Sequence, residues 1–138
     1  MSEQEKIQTM VAQINILESY EQALASRISI LSQAMIEGSM ALEAVQSLPE
    51  SGTAELVIPI GGGLSLPVTS SADKKIMVRV GDGVTAERSK DESIEFLNKR
   101  LAEFQKGLIE TQKSQSQVEN SLAQLRDELN KMASKQNV

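Results

Sequence analysis

The side chains that most often do covalent chemistry are missing from this 138-residue chain, which has no Cys and no His. That removes thiol nucleophiles, imidazole general bases, disulfides and the usual zinc and copper ligands. The 19 Asp and Glu are scattered along the chain, most of them over stretches with helical patterning, whereas catalysis needs acid, base or nucleophile groups that converge in a pocket. No catalytic residue, metal site or cofactor is expected, and the chain is not read as an enzyme. The clusters Gly61-Gly62-Gly63 and Gly81-Asp82-Gly83 invite comparison with phosphate-cradling loops. Neither opens a helix or is followed by Gly-Lys-Ser/Thr, so both are read as hairpin turns supplying positive φ. A net charge of −5 argues against nucleic acid as a partner, because phosphate binding needs clustered Lys and Arg. What remains is the chemistry of apolar surface.

That surface is concentrated first in residues 54–88, where two alternating apolar runs flank each glycine turn in the pattern of a β-hairpin. Leu56, Ile58, Ile60, Leu64, Leu66 and Val68 fall on one face of the first hairpin, since side chains alternate along a strand. Val57, Pro59, Ser65 and Pro67 fall on the other. In the second hairpin Ile76, Val78, Val80, Val84 and Ala86 share a face, with Met77, Arg79, Thr85 and Glu87 opposite. A polar link after Val68 joins the two. Pro59 and Pro67 belong at edges or bulges because they have no N–H to donate.

The hairpins separate two long helical patterns, expected over 1–48 and 89–134 and together forming a single domain. Steps of three and four give Ile7, Met10, Ile14, Leu17, Glu21, Leu24, Ile28, Leu31, Met35, Gly38, Leu42 and Val45 in the first. They give Ile94, Leu97, Leu101, Phe104, Leu108, Thr111, Gln115, Val118, Leu122, Leu125, Leu129 and Met132 in the second. A 3.5-residue period predicts coiled-coil seams. Leu48-Pro49 stops the first helix, and Ser89-Lys90-Asp91-Glu92 starts the second with a capping box. At about 1.5 Å per residue the first helix would be roughly 65 Å long and needs a partner along its seam. Equal seams predict an antiparallel two-helix coiled coil, and facing Val45 with Ile94 sets Gly38 against Leu101 and Leu31 against Leu108.

In this register Thr111, Gln115 and Glu21 fall in consecutive layers. A polar middle suggests that the outer ends part and expose Ile7, Met10, Ile14, Leu125, Leu129 and Met132, against the alternative that these residues only close the seam. Off the seam, Val11 and Ile16 lie toward the termini, and Ile36, Met40 and Phe96 toward the hairpins. With both helices committed to each other, no helix is left to cover the hairpins' apolar faces. A β segment this small does not hold a core alone, and its open edges invite pairing. The hairpin residues Leu56, Ile58, Ile60, Leu64, Leu66, Val68, Ile76, Val78, Val80 and Val84 are therefore expected to drive oligomerisation into a β-barrel platform. The fold class is mainly α with a small β insertion.

The layout, and in particular Glu55-Leu-Val-Ile-Pro-Ile-Gly-Gly-Gly-Leu-Ser-Leu-Pro-Val68, Met77-Val-Arg-Val-Gly-Asp-Gly-Val84 and Ser93-Ile-Glu-Phe-Leu97, resembles the prefoldin α-class subunit. The resemblance covers essentially the whole chain, and two hairpins rather than one are the α-class feature. It implies an ATP-independent co-chaperone without cofactors, working as a hexamer with β-class prefoldin subunits (two α, four β). Such a hexamer captures non-native polypeptides between its coiled-coil ends and passes them to a group II chaperonin. The client contacts it implies are Ile7, Met10, Val11, Ile14, Leu125, Leu129 and Met132. A coiled-coil spacer that oligomerises without binding clients is the competing expectation. No stretch approaches the roughly 20 apolar residues of a membrane span, and the acidic start Met1-Ser-Glu-Gln-Glu5 is not that of a secretory signal, so a cytoplasmic location is expected.

Overall fold

The computed structural model describes residues 2–136, with the side chain of Gln136 left out. Two α-helices enclose four strands in the order α1 (Glu3–Gln46), β1 (Thr53–Gly61), β2 (Leu64–Ser71), β3 (Ile76–Gly81), β4 (Val84–Arg88) and α2 (Lys90–Gln136). The helices begin and end within three residues of where the patterning and the stop signals put them. The strands form two separate antiparallel pairs, β1 with β2 and β3 with β4.

Each helix start is held by a reciprocal cap. The Ser89 N–H donates to Glu92 Oε1 at 3.2 Å while the Glu92 N–H donates to Ser89 Oγ at 3.1 Å. The same exchange joins Ser2 and Glu5 at the start of α1. The spacing Ser-x-x-Glu stands there in the sequence too, at Ser2 and Glu5.

The chain divides into two compact units. The first combines Met1–Met35 with Glu103–Val138. Its core is Ile14, Leu24, Val118 and Leu122, with Leu17, Leu125 and Leu129 packed against them. Every seam position on both helices is buried or half-buried. The Arg126 guanidinium donates to Glu18 across the pair at 2.7 Å.

The polar layers are accommodated within the seam. Thr111 is 4% exposed, and its hydroxyl donates to the Gly107 carbonyl at 2.7 Å. The hydroxyl is thus satisfied within its own helix. Glu21 and Gln115 are half-buried, so their long stems can pack while the polar ends reach water. Among the described residues no buried side-chain nitrogen or oxygen lacks a partner. The best-buried leucine, Leu122, lies beyond these layers toward the C-terminus.

The second unit, Ile36–Ala102, holds both hairpins and the helix segments that flank them. Here Gly38 faces Leu101 as the guessed register requires. A Cβ on Gly38 would lie 2.8 Å from Leu101 Cδ2, so the glycine leaves the space that the leucine fills.

Candidate functional site

The candidate site is a set of apolar surfaces, and each follows from local backbone chemistry. In the first hairpin Leu56 pairs with Val68 and Ile58 with Leu66, with Val57 opposite Pro67 and Pro59 opposite Ser65. The face expected from alternation is therefore real. The register shifts between Pro59 and Gly61, leaving Ile60 as the extra residue of a bulge, a place where a neighbouring proline is tolerated. The turn residues Gly62 and Gly63 have φ of 59° and 78°, and left-handed backbone at both positions is what a type I′ hairpin turn needs.

Ladder pairing also runs past Val68, to Thr53 opposite Ser71. The polar residues Thr69–Ser71 that read as a link are thus part of β2. In the second hairpin the register shifts between Arg79 and Gly81. Only Gly83 is left-handed, with φ 71°, so the expectation of positive φ at Gly81 is corrected.

The two hairpins differ in what covers them. In the first, Ile58, Ile60, Leu64 and Leu66 are 45–64% exposed, while Leu56 and Val68 are half-buried. Val57 on the opposite face is exposed as well. In the second, Val78 is buried, and Ile76 and Ala86 are half-buried. The groove around Val78 is lined by Ala41 and Val45 of α1 and by Ser93, Phe96, Leu97 and Arg100 of α2.

The expectation that no helix is left over for the sheet is therefore corrected. Ala41 and Ser93 lie beside the seam rather than in it, and their small side chains leave room for a strand. Ser93 is 2% exposed, with its hydroxyl donating to the Ser89 carbonyl at 2.8 Å. Phe96 is half-buried in this groove, with the Arg100 guanidinium 4.6 Å from the ring centroid, a cation–π contact. Val80 and Val84, 46% and 56% exposed, remain open.

Near the chain termini, Ile14 is buried and Leu125 and Leu129 pack on the core cluster. Ile7, Met10 and Met132 are half-buried. Of the seven expected client contacts, Val11 alone is classed as exposed, at 41%. Sequence reasoning also left unmarked Tyr20, Ile30 and Ile109, which are 49%, 69% and 55% exposed. None of the three lies on the inner seams that the 3.5-residue count follows.

Electrostatics are mild. Hydrogen bonds from the Ser89 backbone and hydroxyl hold the Glu92 carboxyl below its ordinary value, and those from Ser71 and the Asp73 backbone do the same for Asp73. Lys90 Nζ donates to the Leu48 carbonyl at 2.8 Å, so the start of α2 caps a carbonyl just past the end of α1.

The family described as "Prefoldin subunit" matches residues 17–135. Prefoldin subunit alpha of Nitrosopumilus maritimus is 29% identical over 102 residues, spanning 74% of this chain and 70% of that one. Prefoldin subunit alpha of Pyrococcus horikoshii is 30% identical over 105 residues, spanning 75% and 71%. Among solved structures, the prefoldin beta subunit of Thermococcus strain KS-1 is similar in fold, with a TM-score of 0.64 at 14% identity over 91% of this chain and 90% of that one.

Proposed function

The chain belongs to the prefoldin family, a family of non-enzymatic chaperone subunits, and from that membership we propose that it is the α-class subunit of an ATP-independent cytoplasmic chaperone. It assembles with β-class subunits, two α to four β, captures non-native polypeptides and passes them to a group II chaperonin. The observation that carries the assembly half is the open face of the first hairpin, where Ile58, Ile60, Leu64 and Leu66 stand exposed together. Contiguous apolar surface of this kind marks an interaction site, and unpaired strand edges beside it add hydrogen-bonding capacity. Neighbouring subunits that close a shared barrel satisfy both. No helix among the described residues is long and apolar enough to cross a membrane.

Client capture rests on the helix ends. Unfolded chains expose apolar groups, and several weak apolar contacts on linked arms hold them reversibly. Ile7, Met10, Val11, Ile14, Leu125, Leu129 and Met132 are the residues assigned this role. The first four precede the segment that the family match covers, so their assignment rests on the resemblance in layout and on their apolar chemistry.

The test is a refolding reaction of an unrelated denatured protein, run with this subunit assembled with its β-class partner. Suppressed aggregation without nucleotide, lost when about ten residues are trimmed from each end, supports capture at the ends. Equal suppression after trimming removes the ends from the role. No suppression by the intact assembly leaves a coiled-coil spacer.

A further inference from the structure

The outward surface of α1 carries more apolar side chains than a helix paired along one seam requires. Ile16 and Ile30 are each 69% exposed, and Tyr20 between them is 49% exposed. Ile16, Ala23 and Ile30 recur every seven residues, with Ser19 and Ser26 three residues after the first two, and all five are exposed. A seven-residue repeat keeps one line along a supercoiling helix. These side chains therefore run along the outward face of α1, roughly opposite the inner seam of Ile14, Leu17, Glu21, Leu24, Ile28 and Leu31, with Tyr20 and Arg27 on the flank between the two. We propose that this line is a second coiled-coil seam, which takes an amphipathic helix of a non-native polypeptide.

The spacing selects a helix over an extended chain. Apolar residues seven apart on α1 repeat every ~10.5 Å, which is also the heptad repeat of a partner helix. Alternate side chains of an extended chain fall ~6.6–6.8 Å apart and drift out of step. Small Ser and Ala between the isoleucines leave the hollows that knobs from a facing helix fill. Of the positions along and beside the line, Ala12, Gln13, Ser19, Ala23, Ser26, Gln33 and Ala34 are uncharged and Arg27 alone is charged. Arg27 makes no hydrogen bond or ion pair within the described residues. Its guanidinium matches a carboxylate on the flank of an incoming helix.

The size of the line argues for a client rather than a second copy of this chain. Ile16 to Ile30 spans about 21 Å of helix, so a strip roughly 10 Å wide covers about 200 Å². A stable interface takes about 800 Å² from each side. Contact on this scale is weak and reversible, as capture and release demand.

The inference rests on the chaperone reading, and its test is separable from that reading. The full assembly is titrated against a labelled peptide of about three heptads, with Leu at a and d, Gln and Ser elsewhere and one Glu on a flank, followed by anisotropy at nanomolar peptide. A scrambled peptide of the same composition is the control. The heptad peptide is expected to bind about tenfold or more tighter than the scrambled one. Ile16→Ser with Ile30→Ser should remove most of that difference, and Arg27→Glu should weaken binding. Ile109→Ser, which removes an isolated exposed isoleucine on α2, should leave it within about twofold. Equal affinity for the scrambled peptide, or an unchanged affinity in the double variant, overturns the proposal. So does a changed oligomeric state of the double variant in sedimentation, which makes the line an interface between copies. Failure of the intact assembly to suppress aggregation strikes the chaperone reading, while heptad-selective peptide binding still stands.

Discussion

Gly38 and Gly107 show how little residue type says about role. Both sit in helix interiors, where glycine costs about 1 kcal/mol relative to alanine. At Gly107 an added Cβ would meet Leu31 Cδ1 at 3.5 Å, an ordinary contact, whereas at Gly38 it would meet Leu101 Cδ2 at 2.8 Å. Gly107→Ala is therefore expected to stabilise the chain by about 0.5–1 kcal/mol. Gly38→Ala should gain less or lose, because Leu101 must move out of the space it fills. Chemical denaturation of the two variants checks the order, and a larger gain at Gly38 would contradict it.

Glu92 carries a pH signature at the same scale. Its folded-state carboxyl titrates below the ordinary value of 4.5. The ionised form is thus favoured by folding, and its contribution is present above that value and lost as the pH falls through the depressed one. Glu92→Gln should lower the melting temperature near pH 7. The gap from the parent should close as the pH drops below about 4. A gap that stays constant to pH 3 rules out the carboxylate as its source.

The hairpins are the elements on which sequence and structure part company. Alternation located both apolar faces, and the glycine turns located both hairpins, because those signals are local. Which face its own chain covers was not legible, since Ala41, Ser93 and Phe96 lie off the seam that the 3.5-residue count follows. In the first hairpin the polar pairs Thr53–Ser71 and Ala54–Ser70 likewise escaped an alternation count that stops at the last apolar residue. The difference between the hairpins is measurable. Val78→Ala removes two buried methyl groups' worth of contact and should destabilise the subunit by about 2 kcal/mol, with assembly retained. Ile58→Lys with Leu66→Lys should leave helix content intact while preventing association, read by circular dichroism and sedimentation. Association undisturbed by the lysine pair would place the interface elsewhere.

For the whole molecule, the seam was the most legible feature. Both helices, their antiparallel sense and the facing of Gly38 with Leu101 follow from one period, one stop signal and one capping box. Relative strength along the seam did not follow. Counting Thr111 as polar ignored the carbonyl of Gly107 that takes its hydroxyl, and counting Glu21 ignored the reach of its stem. The candidate site was legible as a list of apolar residues but not as a pattern of exposure. Ile14, Leu125 and Leu129 are packed, and Val11, Ile16, Tyr20 and Ile30 are open.

The contact between Glu18 and Arg126, 108 positions apart in the chain, bears on how the molecule comes into being. During synthesis α1 emerges first, yet its partners arrive in reverse order. Gly38 finds Leu101 while the residues that pack on Ile14 have not been made. Once the hairpins have brought the chain back on itself, each successive pair closes only a short additional loop, and loop closure is the costly step. Pairing therefore advances outward from the hairpins, and Ile14 and its neighbours on α1 wait for partners that are made more than 100 positions later. Until those partners arrive, the subunit exposes an apolar stripe of its own.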